Sequence, residues 1–110
     1  MLFELQQHED LEELIERSKS SPILIFKHST QCSISDAAYE ELQKFMKNAE
    51  DVPCGIVLVL ENRVLSNAVA SELGIRHESP QAIVIQDGRQ KWTASHWSIT
   101  AEALHKALRG

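Results

Sequence analysis

Two short apolar runs, separated by amphipathic segments, most constrain the fold of this chain. Residues 23–26 and 55–60 have no polar face, which is typical of strands covered on both sides in a parallel sheet. Residues 9–18, 35–48 and 63–73 place apolar side chains at helical spacing. Because parallel strands need long crossover connections, this alternation predicts strands joined by helices.

The C-terminal part predicts an antiparallel addition to this sheet. Residues 82–85 are apolar, Asp87-Gly88 is a hairpin turn signal, and residues 90–94 form the returning strand. A last helix follows, for which Thr100 is a good N-cap, and residues 2–5 are expected to add an edge strand. The predicted fold class is α/β, with a mixed central sheet of four or five strands flanked by helices.

Length and composition exclude several classes of function. A chain of 110 residues corresponds to a single domain, residues 1–110. The formal net charge is −5 with scattered lysines and arginines, which argues against a nucleic-acid partner. No segment approaches the ~20 apolar residues of a membrane span, and the first residues lack a secretory signal. We therefore expect a cytoplasmic protein with no membrane partner.

The cysteines and histidines do not predict a structural cross-link. Two cysteines in a reducing compartment are not expected to form a structural disulfide. The five histidines are dispersed and neither cysteine has a close ligand partner, so we expect no metal site.

Cys32 is the strongest candidate for a reactive group. It lies between the strand of residues 23–26 and the helix of residues 35–48. Unpaired backbone N–H groups and the helix dipole favour negative charge at such a helix start, and the thiolate is the nucleophile. Ser35 stands where a dithiol oxidoreductase has its second cysteine. The C-x-x-S motif therefore predicts an attacking thiol without a local resolving partner, whereas the alternative is an inert cysteine.

The element order and two motifs resemble the thioredoxin fold over nearly the whole chain. Residues 30–35, Thr-Gln-Cys-Ser-Ile-Ser, resemble the T-x-C-P-x-[CS] turn of glutaredoxin-like proteins. The segment of residues 73–81, with the strand and hairpin after it, resembles the thioredoxin stretch that contains a cis-proline. The resemblance implies that Pro80 is cis and packs beside Cys32, and that Ser79 offers its backbone to an extended substrate segment.

A closer resemblance is to the YtxJ-type monothiol bacilliredoxins. It rests on residues 26–35, Phe-Lys-His-Ser-Thr-Gln-Cys-Ser-Ile-Ser, and on Ser-His-Trp-x-Ile-Thr at residues 95–100. It implies a thiol–disulfide oxidoreductase that removes bacillithiol from mixed disulfides on oxidised client proteins. Bacillithiol would be the exchanging thiol, and no cofactor would be tightly bound. Ser33 replaces the family's usual proline, which would have preset the first helical turn, so we expect a looser turn with the chemistry retained.

Several side chains around Cys32 are candidates for supporting roles. Ser35 is expected to cap its helix and to donate a hydrogen bond to the thiolate. The charge of either His28 or Lys27 would favour the thiolate, but strand alternation sends the two side chains to opposite sheet faces, where a solvated or packed role is as plausible. Of the two, His28 is the candidate for tuning Cys32. Thr30 and Gln31 are expected to contact the polar groups of a bound thiol.

The thioredoxin comparison places His96 and Trp97 beside the cis-proline, in the substrate groove. The indole of Trp97 could then cover the sugar ring that bacillithiol contains, but it could equally close the core under the last helix. We expect Trp92 to pack against the core. His77 and Glu78 precede Ser79-Pro80 and either contact ligand or form a solvent loop.

Cys54 is a candidate resolving thiol by residue type only. It precedes the strand of residues 55–60, which should run parallel to the strand before Cys32, so Cys54 begins its strand at the opposite end. A strand of about five residues spans ~17 Å, beyond the ~7 Å Cα limit for a disulfide. We therefore expect Cys54 to pack in the core.

Three other functions compete with the bacilliredoxin hypothesis. Monothiol glutaredoxins with C-G-F-S carry an iron–sulfur cluster, but Ser33 and Ile34 replace the Gly-Phe pair here. A thioredoxin-like adaptor without turnover would use Cys32 only as an anchor or a target of modification. A peroxidase is the weakest hypothesis because Ser29 replaces the threonine of a T-x-x-C loop.

Overall fold

The computed structural model describes residues 1–109 as an α/β fold built on one mixed sheet. The elements are β1 (Leu2–Glu4), α1 (His8–Arg17), β2 (Ile23–His28), α2 (Ser33–Met46), β3 (Cys54–Leu58), α3 (Arg63–Leu73), β4 (Gln81–Gln86), β5 (Arg89–Ser95), a 3₁₀ turn (His96–Ser98) and α4 (Ala101–Arg109). The predicted order of elements is therefore confirmed, including the edge strand at the N-terminus.

The sheet has five strands in the order β1-β3-β2-β4-β5. Strands β1, β3 and β2 are parallel to one another. Strand β4 pairs antiparallel with β2, and β5 pairs antiparallel with β4. Opposite Lys27 of β2 lies Gln81 of β4, and Gln81 in turn lies opposite Ser95 of β5. His28 lies opposite Leu58 of β3. As a result, the segments after β2, β3 and β5 and the segment before β4 all lie at one edge of the sheet, which we call the Cys32 edge. These segments are residues 29–32, 59–62, 96–98 and 76–80, respectively.

Helices cover both faces of the sheet, and each face has its own apolar core. The face under α2 and α4 buries, among others, Leu24, Phe26, Leu42, Val84 and Leu104. The face under α1 and α3 buries, among others, Ile23, Ile25, Val57, Val69 and Ile83. Because β2 is covered on both sides, its side chains are buried throughout, which explains the uninterrupted apolar run in the sequence.

Among the boundaries that differ from the sequence prediction, three affect the Cys32 edge. β2 continues two residues past the predicted end, so that Lys27 and His28 lie within the strand. Helix α2 begins at Ser33 instead of residue 35. Strand β3 ends at Leu58 instead of residue 60. Pairing with neighbouring strands extends β2 over two polar residues that the apolar pattern does not include.

The predicted turn and cap residues have the expected roles. Asp87 and Gly88 both have positive φ, at 54° and 76°, as a two-residue hairpin turn requires. Gly74 ends α3 in the left-handed conformation. The Thr100 hydroxyl oxygen accepts a hydrogen bond from the Ala103 N–H at 3.1 Å, which caps α4.

Gly55 is required where β3 passes under α1. A Cβ atom at this position would lie 2.7 Å from Leu14 Cδ2 and 2.8 Å from Leu5 Cγ. Only glycine allows this close approach of helix and sheet.

No helix among residues 1–109 combines the length and apolar character needed to cross a membrane.

Candidate active site

Cys32 is the N-cap residue of α2. Its backbone is extended, with φ −129° and ψ 122°, and its carbonyl accepts the Asp36 N–H at 3.0 Å. Its own N–H donates to the Ser29 carbonyl at 3.3 Å, and the residue is partly exposed. The first backbone N–H groups of a helix have no intrahelical acceptor and attract negative charge. This is the environment that the sequence predicts for a reactive thiolate.

Ser35 closes the loop that contains Cys32 instead of capping α2. The helix begins at Ser33 with Cys32 as N-cap, so the prediction that Ser35 caps its helix is wrong. The Ser35 hydroxyl is buried, accepts the Ser29 N–H at 2.9 Å and lies 2.7 Å from His28 Nδ1. Among the described residues, its hydrogen-bond partners do not include Cys32. The predicted hydrogen bond from Ser35 to the thiolate therefore has no contact that supports it.

His28 occupies a buried, aromatic environment. It is 8% exposed, and its ring stacks on Tyr39 with 4.9 Å between ring centroids. Burial lowers the pKa of His28, although Asp36 and Glu61 partly oppose this effect. A neutral, Nε2-protonated His28 accepts a hydrogen bond from the Ser35 hydroxyl at Nδ1, whereas the other tautomer donates to it. That His28 favours the Cys32 thiolate stays a prediction.

The loop before Cys32 contacts the end of β3. The Val59 N–H donates to the His28 carbonyl at 3.0 Å, and the Thr30 hydroxyl donates to a Glu61 carboxylate oxygen at 3.4 Å. Thr30 and Gln31 are exposed at the Cys32 edge. Both are therefore accessible, and their contact with a bound thiol stays a prediction.

The Ser79–Pro80 segment lies at the same edge. Its peptide bond is cis, as the thioredoxin resemblance implies. Pro80 directly precedes Gln81, which pairs with Lys27 of β2, and the Pro80 carbonyl accepts the His96 N–H at 3.1 Å. The predicted proximity of the 95–100 loop to the cis-proline is thus confirmed.

Trp97 is exposed to solvent in the 3₁₀ turn next to the cis-proline. Its side chain is 70% accessible, whereas Ile99, two residues later, is 2% exposed and closes the core. The alternative in which Trp97 closes the core is therefore wrong. Trp92 packs against the core under α2 and α4, as predicted.

Cys54 is buried far from Cys32. It lies opposite Leu24 at the start of β2, and its thiol is fully buried. The strand from Leu24 to His28 alone spans about 13 Å, which exceeds the reach of a disulfide. Burial raises the pKa of the Cys54 thiol to about 12. The prediction that Cys54 packs in the core is confirmed.

Lys27, whose charge was one of two that could favour the thiolate, is a buried lysine near this edge. Lys27 is fully buried, and its Nζ lies 2.9 Å from Nδ1 of His77, fifty residues away in the chain. Burial lowers the pKa of Lys27 to about 8. The sequence contained one signal, since Lys27 directly follows the apolar residues 23–26. A charged side chain that is buried at such a place is a candidate functional residue.

The residues that the structure describes contain no group of three or more histidine, cysteine, aspartate and glutamate side chains arranged to hold a metal ion.

Comparisons with known proteins agree with this geometry. The family model described as "Monothiol bacilliredoxin BrxC" matches residues 3–104. A solved structure described as an inferred oxidoreductase with a thioredoxin fold is 31% identical over 96% of this chain and 92% of its own, with a TM-score of 0.87.

More distant structures show the fold alone. Thioredoxin from Fasciola hepatica is 20% identical over 96% of this chain and 94% of its own, with a TM-score of 0.74. Thioredoxin from Malassezia sympodialis is 16% identical over 98% and 88%, with a TM-score of 0.76.

The family match covers nearly the whole chain and includes every element that forms the Cys32 edge. With its cis-proline, its partly exposed N-cap cysteine and its thioredoxin fold, the chain belongs to the monothiol bacilliredoxin family of thiol–disulfide oxidoreductases.

Proposed function

We propose that this protein removes bacillithiol from mixed disulfides on oxidised client proteins, with Cys32 as the nucleophile. The main support is the position of Cys32, a partly exposed thiol at the start of α2 with a serine three residues later. The match to the monothiol bacilliredoxin family supports bacillithiol as the exchanging thiol.

In the first step, the Cys32 thiolate attacks the bacillithiol sulfur of the client's mixed disulfide. A disulfide forms between Cys32 and bacillithiol while the bond between bacillithiol and the client breaks. The client sulfur leaves as a thiolate and takes a proton from water. Cys32 is thereby oxidised to the mixed disulfide and the client cysteine is reduced.

In the second step, a free bacillithiol thiolate attacks the bacillithiol sulfur on Cys32. This step releases bacillithiol disulfide and restores the Cys32 thiolate. Ser35 has no sulfur with which to displace the adduct, and Cys54 is fully buried at the other end of the sheet. Regeneration therefore needs a second thiol molecule from solution.

The surroundings of Cys32 offer contacts for the client and for the adduct. The backbone of Ser79, before the cis-proline, would pair with an extended client segment. Thr30 and Gln31 would contact polar groups of bacillithiol. The exposed indole of Trp97 would cover the sugar ring, with His96 beside it.

The clients are proteins that carry bacillithiol on a cysteine, and the proposed compartment is the cytoplasm. A thiol-exchange enzyme that depends on a reduced small thiol needs a reducing compartment.

Intact-mass spectrometry tests this proposal directly. A client that carries bacillithiol on one cysteine is mixed with the wild type, with Cys32→Ser and with Cys54→Ala. We expect the adduct to move onto the wild type and onto Cys54→Ala, because the buried Cys54 takes no part in exchange. Cys32→Ser should remain unmodified while its client keeps the adduct.

Two results would contradict the proposed function or its mechanism. If the client keeps its adduct in the presence of the wild type, the bacilliredoxin function is wrong for this chain. If Cys54→Ala loses transfer but remains folded by circular dichroism, the single-thiol mechanism is wrong.

A further inference from the structure

Lys27 is buried and has no ion-pair partner among residues 1–109. Its side chain has no exposed surface, and none of the salt bridges among residues 1–109 includes it. Burial of an ammonium group without a compensating charge is costly. The stability of the fold therefore does not explain a lysine here, where an apolar residue would suit the core under α1 and α3.

The Lys27 amine instead contacts the loop that leads to the cis-proline. Its Nζ lies 2.9 Å from Nδ1 of His77. With an ammonium donor, Nδ1 is the acceptor and His77 is the neutral, Nε2-protonated tautomer. This bond joins the end of the strand that leads to Cys32 with a residue three positions before Pro80.

A second buried side chain holds the residues on either side of His77. Gln81 lies opposite Lys27 on β4 and is 2% exposed. Its amide nitrogen donates to the Arg76 carbonyl at 3.0 Å, and its amide oxygen accepts the Glu78 N–H at 3.3 Å. Three successive loop residues are therefore held by two buried polar side chains of the sheet, which we call the loop clamp (Lys27 and Gln81).

The loop clamp connects the two halves of the site. Residues 74–80 end at Ser79-Pro80, and β2 ends four residues before Cys32. We propose that Lys27 and His77 are positioning residues, whose hydrogen bond sets the distance between the client-binding backbone of Ser79 and the Cys32 sulfur. This inference rests on the proposed function, because it concerns how a client disulfide is aligned for attack.

Lys27 could alternatively act on the thiolate through its charge. Burial lowers the pKa of His77, and the positive charges of Lys27 and Arg63 lower it further, while Glu78 opposes this effect. The lowered pKa of His77 favours the neutral ring, which accepts a hydrogen bond from the Lys27 ammonium. An experiment must separate the alignment of the client from an effect of this positive charge on Cys32.

Three variants make this separation. Lys27→Met keeps a long unbranched side chain but removes the donor. His77→Leu removes the acceptor, whereas His77→Asn places an amide oxygen near the former Nδ1 atom. Transfer of bacillithiol from a client protein to each variant is compared with the rate at which iodoacetamide alkylates Cys32, since this small reagent needs no alignment by the loop.

We expect Lys27→Met and His77→Leu to lose about tenfold or more in kcat/KM for the client, as a misaligned substrate does. Alkylation of Cys32 should change by less than about twofold, and His77→Asn should retain most of the transfer activity. Lys27→Met should be at least as stable in urea as the wild type, because a buried charge is removed. A loss of activity without a loss of stability is not expected from a purely structural role.

Hydrogen exchange of residues 74–79 provides a readout that does not depend on the activity. We expect faster exchange in Lys27→Met and in His77→Leu than in the wild type and in His77→Asn. Unchanged exchange in Lys27→Met would overturn the proposal, as would alkylation that falls by the same factor as transfer. If the wild type itself takes no adduct, the proposed function fails, while hydrogen exchange still decides whether the loop clamp exists.

Discussion

The Nδ1 atom of His28 lies 2.7 Å from the Oγ atom of Ser35, and that oxygen also accepts the Ser29 N–H at 2.9 Å. One buried hydroxyl thus links the last residue of β2, the loop before Cys32 and the first turn of α2. The serine of the C-x-x-S motif is therefore a structural part of the loop as well as the position that lacks a second sulfur.

Replacement of this hydroxyl should destabilise the protein. Ser35→Ala leaves the partly buried Ser29 N–H without its acceptor and the buried His28 ring without its hydrogen-bond partner, so we expect the free energy of unfolding to fall by about 1–3 kcal/mol. Urea denaturation measures this change. Ser33→Ala, at an exposed position in the same turn, is the matched control and should stay within about 0.5 kcal/mol of the wild type. Equal stabilities for the two variants would contradict this account of Ser35.

Stability should fall in mild acid because of His28. Burial holds the pKa of His28 below its ordinary value, with Asp36 and Glu61 acting in the opposite direction. Below a pH of about 6.5, the unfolded chain binds a proton that the folded chain takes up only at lower pH. The contribution of His28 to the free energy of unfolding is therefore complete above a pH of about 6.5 and is lost as the pH falls through the lower pKa of the folded protein. Urea denaturation at pH 7.5 and 5.5 should show a larger decrease for the wild type than for His28→Asn.

Other histidines also change the pH dependence of stability, but not the difference between the wild type and His28→Asn. The pKa of His77 is also lowered by burial, with the same sign as His28. A hydrogen bond to the Glu72 carboxylate raises the pKa of the exposed His8, which acts in the opposite direction. Both are present in the wild type and in His28→Asn, so their contributions cancel in the difference. An identical pH dependence for the two proteins would show that His28 is not buried as a neutral ring.

The two tryptophans should separate binding from stability. Trp97 is 70% exposed, so Trp97→Ala should change the free energy of unfolding by less than about 0.5 kcal/mol. It should nevertheless raise KM for a bacillithiolated client, because the indole is proposed to cover the sugar ring. Trp92→Ala removes a side chain that packs on the core, and should cost roughly 2 kcal/mol, less than the 3–5 kcal/mol of a fully buried ring. An unchanged KM for Trp97→Ala would contradict the proposed contact.

The two cysteines should differ in reactivity towards a thiol reagent. Burial raises the pKa of Cys54 to about 12, so almost no thiolate is present at neutral pH. We expect iodoacetamide to add one group to the folded wild type, at Cys32, and two groups in concentrated urea. Intact-mass spectrometry after alkylation counts these groups, and Cys32→Ser provides the control with no modification in the folded state. Rapid alkylation of Cys54 in the folded protein would show that the core opens around it.

Local patterns predicted most of the fold. The apolar runs, the Asp87-Gly88 turn and the Thr100 cap each depend on neighbouring residues, and each is found in the structure. The start of α2 was missed by two residues because cysteine is not a preferred N-cap residue. The end of β2 was missed because strand pairing, and not apolar character, keeps Lys27 in the sheet.

Only the part of the site that depends on local sequence patterns could be predicted. Cys32 and Pro80 belong to short motifs, so their position at one edge could be inferred from the resemblance to thioredoxin. The contact between Lys27 and His77 joins residues that are fifty positions apart, and no periodicity or motif marks such a pair. Trp97 is exposed while Ile99, two residues later, fills the core, and the local sequence leaves open which of the two is buried.

The distance between Cys32 and Cys54 has a kinetic consequence. In the proposed mechanism no second sulfur reaches Cys32, so the enzyme would alternate between a free and an adduct-bearing form, and each conversion would need a separate molecule from solution. Such an enzyme follows ping-pong kinetics, with parallel lines in double-reciprocal plots. The fraction of enzyme that bears the adduct then depends on the ratio of modified clients to free bacillithiol, so the protein's own modification reports the redox balance of the small-thiol pool.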